Sequence, residues 1–434
     1  MKSVTLSVII PAYNAETYIQ RCIDSVITAV GDGGEIIIID DGSTDNTGAI
    51  CDRCADEYEQ VYVSHQKNAG ANESRKLGVS KSVGKYIAFA DADDWVDENL
   101  YSEAIGIFDE DPETDIVIMG CLKEYPYGYS QKMFRQPDGS PFTEQSYNAA
   151  DAIEEMVRWK RFSWFLWDKM YRRELFCDET WDCVASTSED LWNNWVIFHN
   201  ARRIHYLGEP QYHYYQGAES LTRTRNKLKK LHSDQSIYRK VLEDKRTITE
   251  DTRQSVLSFS VKFFLEETRE RIFLGESVDS DGLQNVRFHL SQIMKSGYLP
   301  TSDSQGRLVS RIIHNWADVY DEYGKVFYEI KNVVDGLRNE LNNILIYGTG
   351  MIAEYVARIL DQKNINAAGY VVSDEQVNMG IFFGNRVFCL TEVIDMKKSI
   401  LIPIQQRNLK EIRKSIEKAG IVDTVEICVD DSLF

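Results

Sequence analysis

Three apolar runs near the start of the chain each stop at a polar or acidic turn. Val8-Ile9-Ile10 leads into Pro11-Ala12-Tyr13-Asn14, Ile36-Ile37-Ile38-Ile39 into Asp40-Asp41-Gly42-Ser43, and the run from Tyr86 into Asp91-Ala92-Asp93-Asp94-Trp95. Continuous apolar runs of this length mark strands covered on both faces, and they predict strands over 4–10, 35–40 and 86–91. Between the first two, Tyr18, Ile19, Cys22, Ile23, Val26, Ile27 and Val30 recur at helical spacing and predict a helix over 15–29. A Ser/Thr/Asp-rich turn opens a second helix over 44–58, a short alternating strand follows over 61–65, and a third helix over 71–82. Alternation of this kind predicts an α/β fold around a mostly parallel sheet.

The pattern changes twice further on. From about 120 to 222 the chain is aromatic-rich and irregular, with Trp159, Trp164, Trp167, Trp181, Trp192 and Trp195. Most of these rings are expected in the core, and some as a platform for a sugar face. From 223 to 340 apolar positions such as Leu228, Leu231, Tyr238, Val241 and Leu242 predict helices. From 341 to 434 a strand, a Gly348-x-Gly350-x-x-Ala353 turn and a helix opening begin a small Rossmann-like α/β domain, with Asp374 after its second strand. That unit supplies about half of what a dinucleotide normally spans, so it is expected to serve packing and self-association without holding NAD. The chain thus divides into 1–222, 223–340 and 341–434.

Composition narrows the function. A net charge of −19 excludes nucleic acid as the main partner. The longest apolar runs fall short of a membrane span, and the first residues lack a signal-peptide pattern, so a cytoplasmic protein is expected. Cys51-x-x-Cys54, inside the second helix, is the close pair among eight scattered cysteines and is expected to be structural. Arg223–Arg246 holds nine basic and three acidic residues. This is either a solvated helix face or a peripheral contact with an anionic membrane.

Acidic turns at strand ends are where an open α/β sheet binds ligands. Asp91 and Asp93 are spaced to face that crevice together and suit a divalent cation carrying a diphosphate. Glu189-Asp190, after Ser186-Thr187-Ser188, places two carboxylates at a helix start. Such acids serve as first-turn stabilisers of a helix or, beside a diphosphate site, as a general base.

Together these segments resemble glycosyltransferase family 2, with the GT-A fold. The resemblance rests on Ser7–Asn14, Ile39–Asp45, Asn68-Ala69-Gly70 with Arg75 and Gly78, Asp91–Trp95, and Glu189-Asp190. It implies an inverting, metal-dependent transfer of a hexosyl or N-acetylhexosaminyl group from a UDP-sugar in bacterial surface-glycan synthesis. The acceptor would be a glycan, a lipid-linked glycan or a glycoprotein. Residue by residue, it implies that Pro11, Ala12, Tyr13 and Asn14 line the nucleoside pocket. Asp40 accepts from uracil beside Asp41, Arg75 braces the nucleotide or its phosphates, and Asp91 and Ala92 lie near the ribose. Asp93, with Asp91, holds Mn²⁺ or Mg²⁺, and Asp190 is the base assisted by Glu189. Where the family often has Ala-Arg-Asn, this chain has Ser74-Arg75-Lys76. Tyr212–Tyr215 and Ser220–Arg223 resemble the stretch that closes over the diphosphate, so His213 and Arg223 are candidates for phosphate contact. His213 equally reads as a packed histidine. Trp167–Arg173 is expected on the acceptor side. A sugar nucleotidyltransferase would carry a Gly-rich basic loop where Pro11–Asn14 stands, and an inert sugar-binding scaffold would lack Asp93 or Asp190. A homo-oligomer is expected, because the helical stretch has more apolar positions than one thin layer uses.

Overall fold

The computed structural model describes residues 4–125, 129–136, 140–183, 187–216, 227–246, 248–300, 302–336, 344–348, 351–363, 367–372, 381–382, 385–389, 399–405, 412–414, 416 and 424–429. It separates into two compact units. Met1–Glu124, Ser130–Tyr215 and His232–Ser260 form one, and Tyr125–Tyr129, Gln216–Leu231 and Val261–Phe434 the other.

The first unit is built on a ten-stranded sheet. Its first elements are β1 (Leu6–Ala12), α1 (Ile19–Val30), β2 (Gly34–Asp40), α2 (Thr47–Glu57), β3 (Val61–His65), α3 (Ala71–Lys81), β4 (Tyr86–Phe89), β5 (Trp95–Val96) and α4 (Leu100–Glu110). They continue with β6 (Thr114–Tyr125), β7 (Tyr129–Lys132), β8 (Gln145–Asn148), α5 (Ala149–Arg158), β9 (Lys169–Arg172), α6 (Glu189–Asn200) and β10 (Arg203–Tyr215). The strand order is β3-β2-β1-β4-β9-β6-β10-β5, with β7 beside β6 and β8 beside β10. β3, β2, β1 and β4 run parallel, while β9 runs antiparallel to both neighbours. Ile36, Ile38 and Ile39 are fully buried in β2, as an apolar run without alternation requires.

The middle of the chain is more regular than its aromatic content suggested. Lys169-Met170-Tyr171-Arg172 forms β9, buried in the centre of the sheet. Charged ends are tolerated there because Lys169 pairs with the buried Asp168 (2.5 Å) and donates to the Ser163 and Phe165 carbonyls (2.9 and 2.6 Å), while Arg172 lies 3.4 Å from Asp115 and donates to the Thr114 carbonyl (2.8 Å). The expectation that Trp167–Arg173 faces an acceptor is therefore corrected for β9, which has no open face. Cys51 and Cys54 are buried in α2, and burial pushes the Cys51 thiol up to about 12.

Helices α7 (Lys227–Glu243), α8 (Glu250–Phe273), α9 (Asp281–Lys295), α10 (Asp303–His314) and α11 (Trp316–Gly336) follow. Among the described residues, none is long and apolar enough to cross a membrane. The second unit ends in β11 (Ile344–Tyr347), α12 (Met351–Gln362), β12 (Gly369–Val372), β13 (Ile381–Phe382), β14 (Asn385–Cys389), β15 (Ser399–Gln405) and β16 (Thr424–Val429). Its sheet has the order β13-β14-β12-β11-β15-β16, parallel except for β13. Leu345, Val371, Ile400 and Ile402 form its core. Arg358 of α12 grips Glu270 of α8 with two bonds of 2.5 Å, and Tyr355 packs between Phe273 and Phe327. Gly350 and Asp374 lie outside the described residues.

Gly78 sets the approach of α3 to β1. A Cβ there would stand 2.3 Å from Ile9 Cγ2, so the helix can lie this close only without a side chain. Gly78→Ala should destabilise the protein by about 1–3 kcal/mol, the usual cost of overpacking a filled core. Urea unfolding of the two forms measures it, and equal midpoints would show that α3 has room to shift.

Candidate functional site

The register of the parallel strands lines up the residues at their carboxyl ends. Ala12 pairs with Asp40 and Asp40 with His65, so the turns after β1, β2 and β3 lie side by side. The β1 and β2 turns are tied together: Asn14 N–H donates to Ser43 Oγ (3.0 Å), Thr44 N–H to Asn14 Oδ1 (2.8 Å), and Ala15 N–H to Thr47 Oγ1 (2.7 Å). Asn14 takes a left-handed φ of 48° to do this, a conformation asparagine tolerates better than most residues. Pro11 and Ala12 finish β1, and Tyr13 stands 44% exposed beside them.

Asp40 and Asp41 are nearly buried. Asp40 accepts from Ser43 N–H (3.1 Å) on Oδ1, and its Oδ2 pairs with His65 Nδ1 (2.8 Å), while His65 Nε2 meets Asp52 (2.9 Å). Burial raises the Asp40 carboxyl, but the bonds from Ser43 and His65 outweigh it and hold the group below its ordinary value. Asp41 accepts from Gln66 Nε2 (2.7 Å), Ala69 N–H (2.8 Å) and Gly70 N–H (2.8 Å), which fixes the start of α3.

Arg75 reaches from α3 into a cluster of carboxylates. It is 5% exposed. Nη2 donates to Asp91 Oδ1 (2.9 Å), Nη1 to Asp190 Oδ1 (3.0 Å), and Nη1 lies 3.5 Å from Glu189 Oε1. The motif after β4 and the motif opening α6 are thus held by one guanidinium. Asp190 Oδ2 also accepts from Leu166 N–H (3.3 Å). Burial pushes both acids of α6 up, Glu189 to about 7, with the neighbouring carboxylates adding to burial and Arg75 opposing it.

The turn after β4 has its own scaffold. Ala92 is buried within it. Asp91 N–H donates to the Tyr212 hydroxyl (3.0 Å), which donates to Asp94 Oδ2 (2.8 Å), and Tyr215 N–H donates to Asp94 Oδ1 (2.7 Å). Arg21 donates to the Asp93 carbonyl (2.7 Å) and lies 3.8 Å over Trp95. Burial, then Asp91, pushes the Asp93 carboxyl up to about 6. Asp91 and Asp93 offer the hard oxygen donors that Mg²⁺ and Mn²⁺ prefer, and an anion-rich turn gains from a cation. Among the described residues no three His, Cys, Asp or Glu side chains converge on one point. Two carboxylates completed by substrate phosphates and water is the usual Mg²⁺ arrangement, so the residues fit such an ion.

Other predicted residues are engaged elsewhere. His213 bonds Glu124 (2.7 Å) and Asp97 (3.1 Å) through its two nitrogens and stacks on Trp95 at 4.9 Å, the geometry of a packed histidine. Arg223 and Ser220–Thr222 lie outside the described residues. In the basic stretch, Lys227 pairs with Glu354 (2.7 Å), Lys240 with Asp182 (3.2 Å) and Arg246 with Glu179 (2.6 Å). His65 and Gln66 escaped the sequence analysis as parts of the site, while Asp94 and Tyr212 entered it only as members of the stretches Asp91–Trp95 and Tyr212–Tyr215.

Residues 7–176 match the sequence model of glycosyl transferase family 2. The chain carries a glycosyltransferase family 2 domain. The glycosyltransferase GlyA of Streptococcus pneumoniae is 29% identical over 227 residues, 50% of this chain and 31% of that protein. EpsJ of Bacillus subtilis, an uncharacterized glycosyltransferase, is 31% identical over 229 residues, 50% of this chain and 62% of its own. The chain therefore spans less than two thirds of the length of these relatives. The crystal structure of Staphylococcus aureus TarS 1–349 in complex with UDP-GlcNAc shares the fold, with a TM-score of 0.55 at 19% identity over 75% of this chain and 92% of that one. The family 2 domain accounts for the first motifs; Glu189 and Asp190 fall just beyond its matched residues.

Arg75 can be tested as the neutralising centre. Arg75→Met would leave Asp91, Glu189 and Asp190 without their shared cation, and losing one partner of a buried ion pair typically costs about 3–5 kcal/mol. The variant's carboxyls would bind protons more tightly folded than unfolded, so its stability should fall as pH rises from about 4 toward 8. Denaturant titrations across that range would show a slope steeper than wild type, and parallel slopes would contradict this role.

Proposed function

We propose that the chain transfers a sugar from a UDP-sugar to a hydroxyl of a glycan, lipid-linked glycan or glycoprotein acceptor, with inversion at the anomeric carbon and Asp190 as the general base. One observation carries the reading: Arg75 binds Asp91 of the strand-end motif and Asp190 of α6 in one buried network. Donor-side and acceptor-side carboxylates are thereby fixed relative to each other. The family 2 domain supports glycosyl transfer, and the UDP-GlcNAc complex of TarS supports the donor class.

The turns after β1 and β2 would seat the nucleoside against Pro11, Ala12 and Tyr13, with Asp40 held ionised toward the base. Mn²⁺ or Mg²⁺ on Asp93 and Asp91 would supply Lewis-acid neutralisation of the diphosphate. Asp190, raised by burial, is suited to take the acceptor proton as the new C–O bond forms and the bond to phosphate breaks, the electron pair leaving with UDP. Glu189 beside it would orient the acceptor hydroxyl. One base and one in-line displacement require no enzyme nucleophile.

Asp190→Asn should bind UDP as the wild type does and lose turnover by roughly 10²–10⁴-fold, the usual contribution of a positioned base. Calorimetry with UDP and a UDP-release assay over a panel of UDP-sugars with Mn²⁺ separate the two quantities; a collapse of UDP affinity would make Asp190 a donor-site residue. Turnover should also fall as pH drops through about 7, where Glu189 takes up its proton and Asp190 is drawn the same way. A rate flat from pH 5 to 8 would remove the base assignment.

A further inference from the structure

The N-terminus of α6 is held in an unusual way. Ser188 is its N-cap residue, yet its hydroxyl caps no helical N–H and its backbone sits in the left-handed region at φ 58°. An N-cap serine normally has extended backbone and accepts from the second or third helical N–H. Here the hydroxyl instead donates to Asp234 Oδ1 (2.7 Å), and the neighbouring Thr187 hydroxyl donates to the same oxygen (2.9 Å). Ser233 completes the clamp, accepting from Thr187 N–H (3.0 Å) and donating to its carbonyl (3.2 Å). Asp234 is 3% exposed, and a carboxylate so deeply buried is costly unless its bonds hold it.

Helix α7 carries Ser233 and Asp234, and it meets the surroundings of Asp190 twice more. Lys240 lies 4.0 Å over Trp192 of α6. Tyr238 packs edge-on against Trp164, in the loop whose Leu166 N–H reaches Asp190. All of these α7 residues lie well beyond 176, where the family 2 match ends.

From this geometry we infer that Asp234 is a positioning residue: through Thr187 and Ser188 it sets the strained turn that aims Glu189 and Asp190. This rests on the reading of Asp190 as the base. A left-handed serine persists only where its surroundings over-determine it, and Asp234 is the group that takes its hydroxyl. Without that anchor the turn relaxes, Ser188 returns to ordinary N-cap geometry, and the carboxylates of the first helical turn move with it.

The test compares Asp234→Ala and Asp234→Asn in the full chain. UDP release from UDP-GlcNAc with Mn²⁺ gives turnover, calorimetry gives UDP affinity, and crystal structures give the turn. Asp234→Ala should lose turnover by roughly 10- to 100-fold, the scale on which small misplacements of a catalytic group act, with UDP affinity unchanged. Asp234→Asn keeps an acceptor oxygen and should stay within about threefold of wild type. In the alanine variant Ser188 should leave the left-handed region. The inference fails if Asp234→Ala turns over normally, if UDP affinity falls in step with turnover, if Asn is as poor as Ala, or if the alanine variant keeps Ser188 left-handed and Asp190 on Arg75. If Asp190→Asn retains turnover in the same assay, the base assignment fails instead. Should UDP-GlcNAc prove not to be hydrolysed by the wild type, the conformation of Ser188 in the two structures decides.

Discussion

Arg75 places one positive charge among three carboxylates that come from the end of β4 and the start of α6, and that imbalance governs the site. Its guanidinium is buried, so its attraction is little screened by water, and it draws together segments more than a hundred residues apart in sequence. It also leaves the cluster with an excess of negative charge. Part of that excess falls at the positive end of α6, where a helix dipole favours acids. Burial first, and neighbouring carboxylates after it, push Asp93, Glu189 and Asp190 up. A site so built is short of cations rather than of anions, which is the electrostatic condition for taking up a cation.

Legibility in the sequence followed burial symmetry. β1, β2 and β4 are apolar on both faces, and β2 and β4 lead into aspartates, so the strands and the acidic turns could be read directly. β9 could not, because its sequence begins with lysine and ends with arginine. Their burial depends on the carboxylates of Asp168 and Asp115 and on carbonyls at Ser163, Phe165 and Thr114, and of these only the adjacent Asp168 shows in the local sequence. The acids themselves were legible as a set, but not their division of labour. Asp41 and Asp94 accept only from this chain's own groups in the bonds described, while Asp93 lies beside Asp91 on the turn they brace. Three backbone and side-chain donors around Asp41 come from the loop before α3, and spacing along the chain carries no trace of that arrangement. Asp234 was the least visible, since it sits inside a charge run whose sign suggested an outward-facing surface.

The two halves of the site are rigid for different reasons. On the side of β1 and β2, the turns after these strands exchange hydrogen bonds with each other, from Asn14 with Ser43 and Thr44 through Ala15 with Thr47 to Glu16 with Asn46. Such cross-bracing fixes the shape of the turns before a ligand arrives. On the acid side, rigidity comes from a buried cation and from a helix start held in a strained conformation. Preorganised charge is what lowers a barrier in a polar reaction, because nothing need reorient as charge develops. A buried ion pair is costly unless further hydrogen bonds satisfy its members, and Asp91, Glu189 and the Leu166 N–H do so around Arg75 and Asp190.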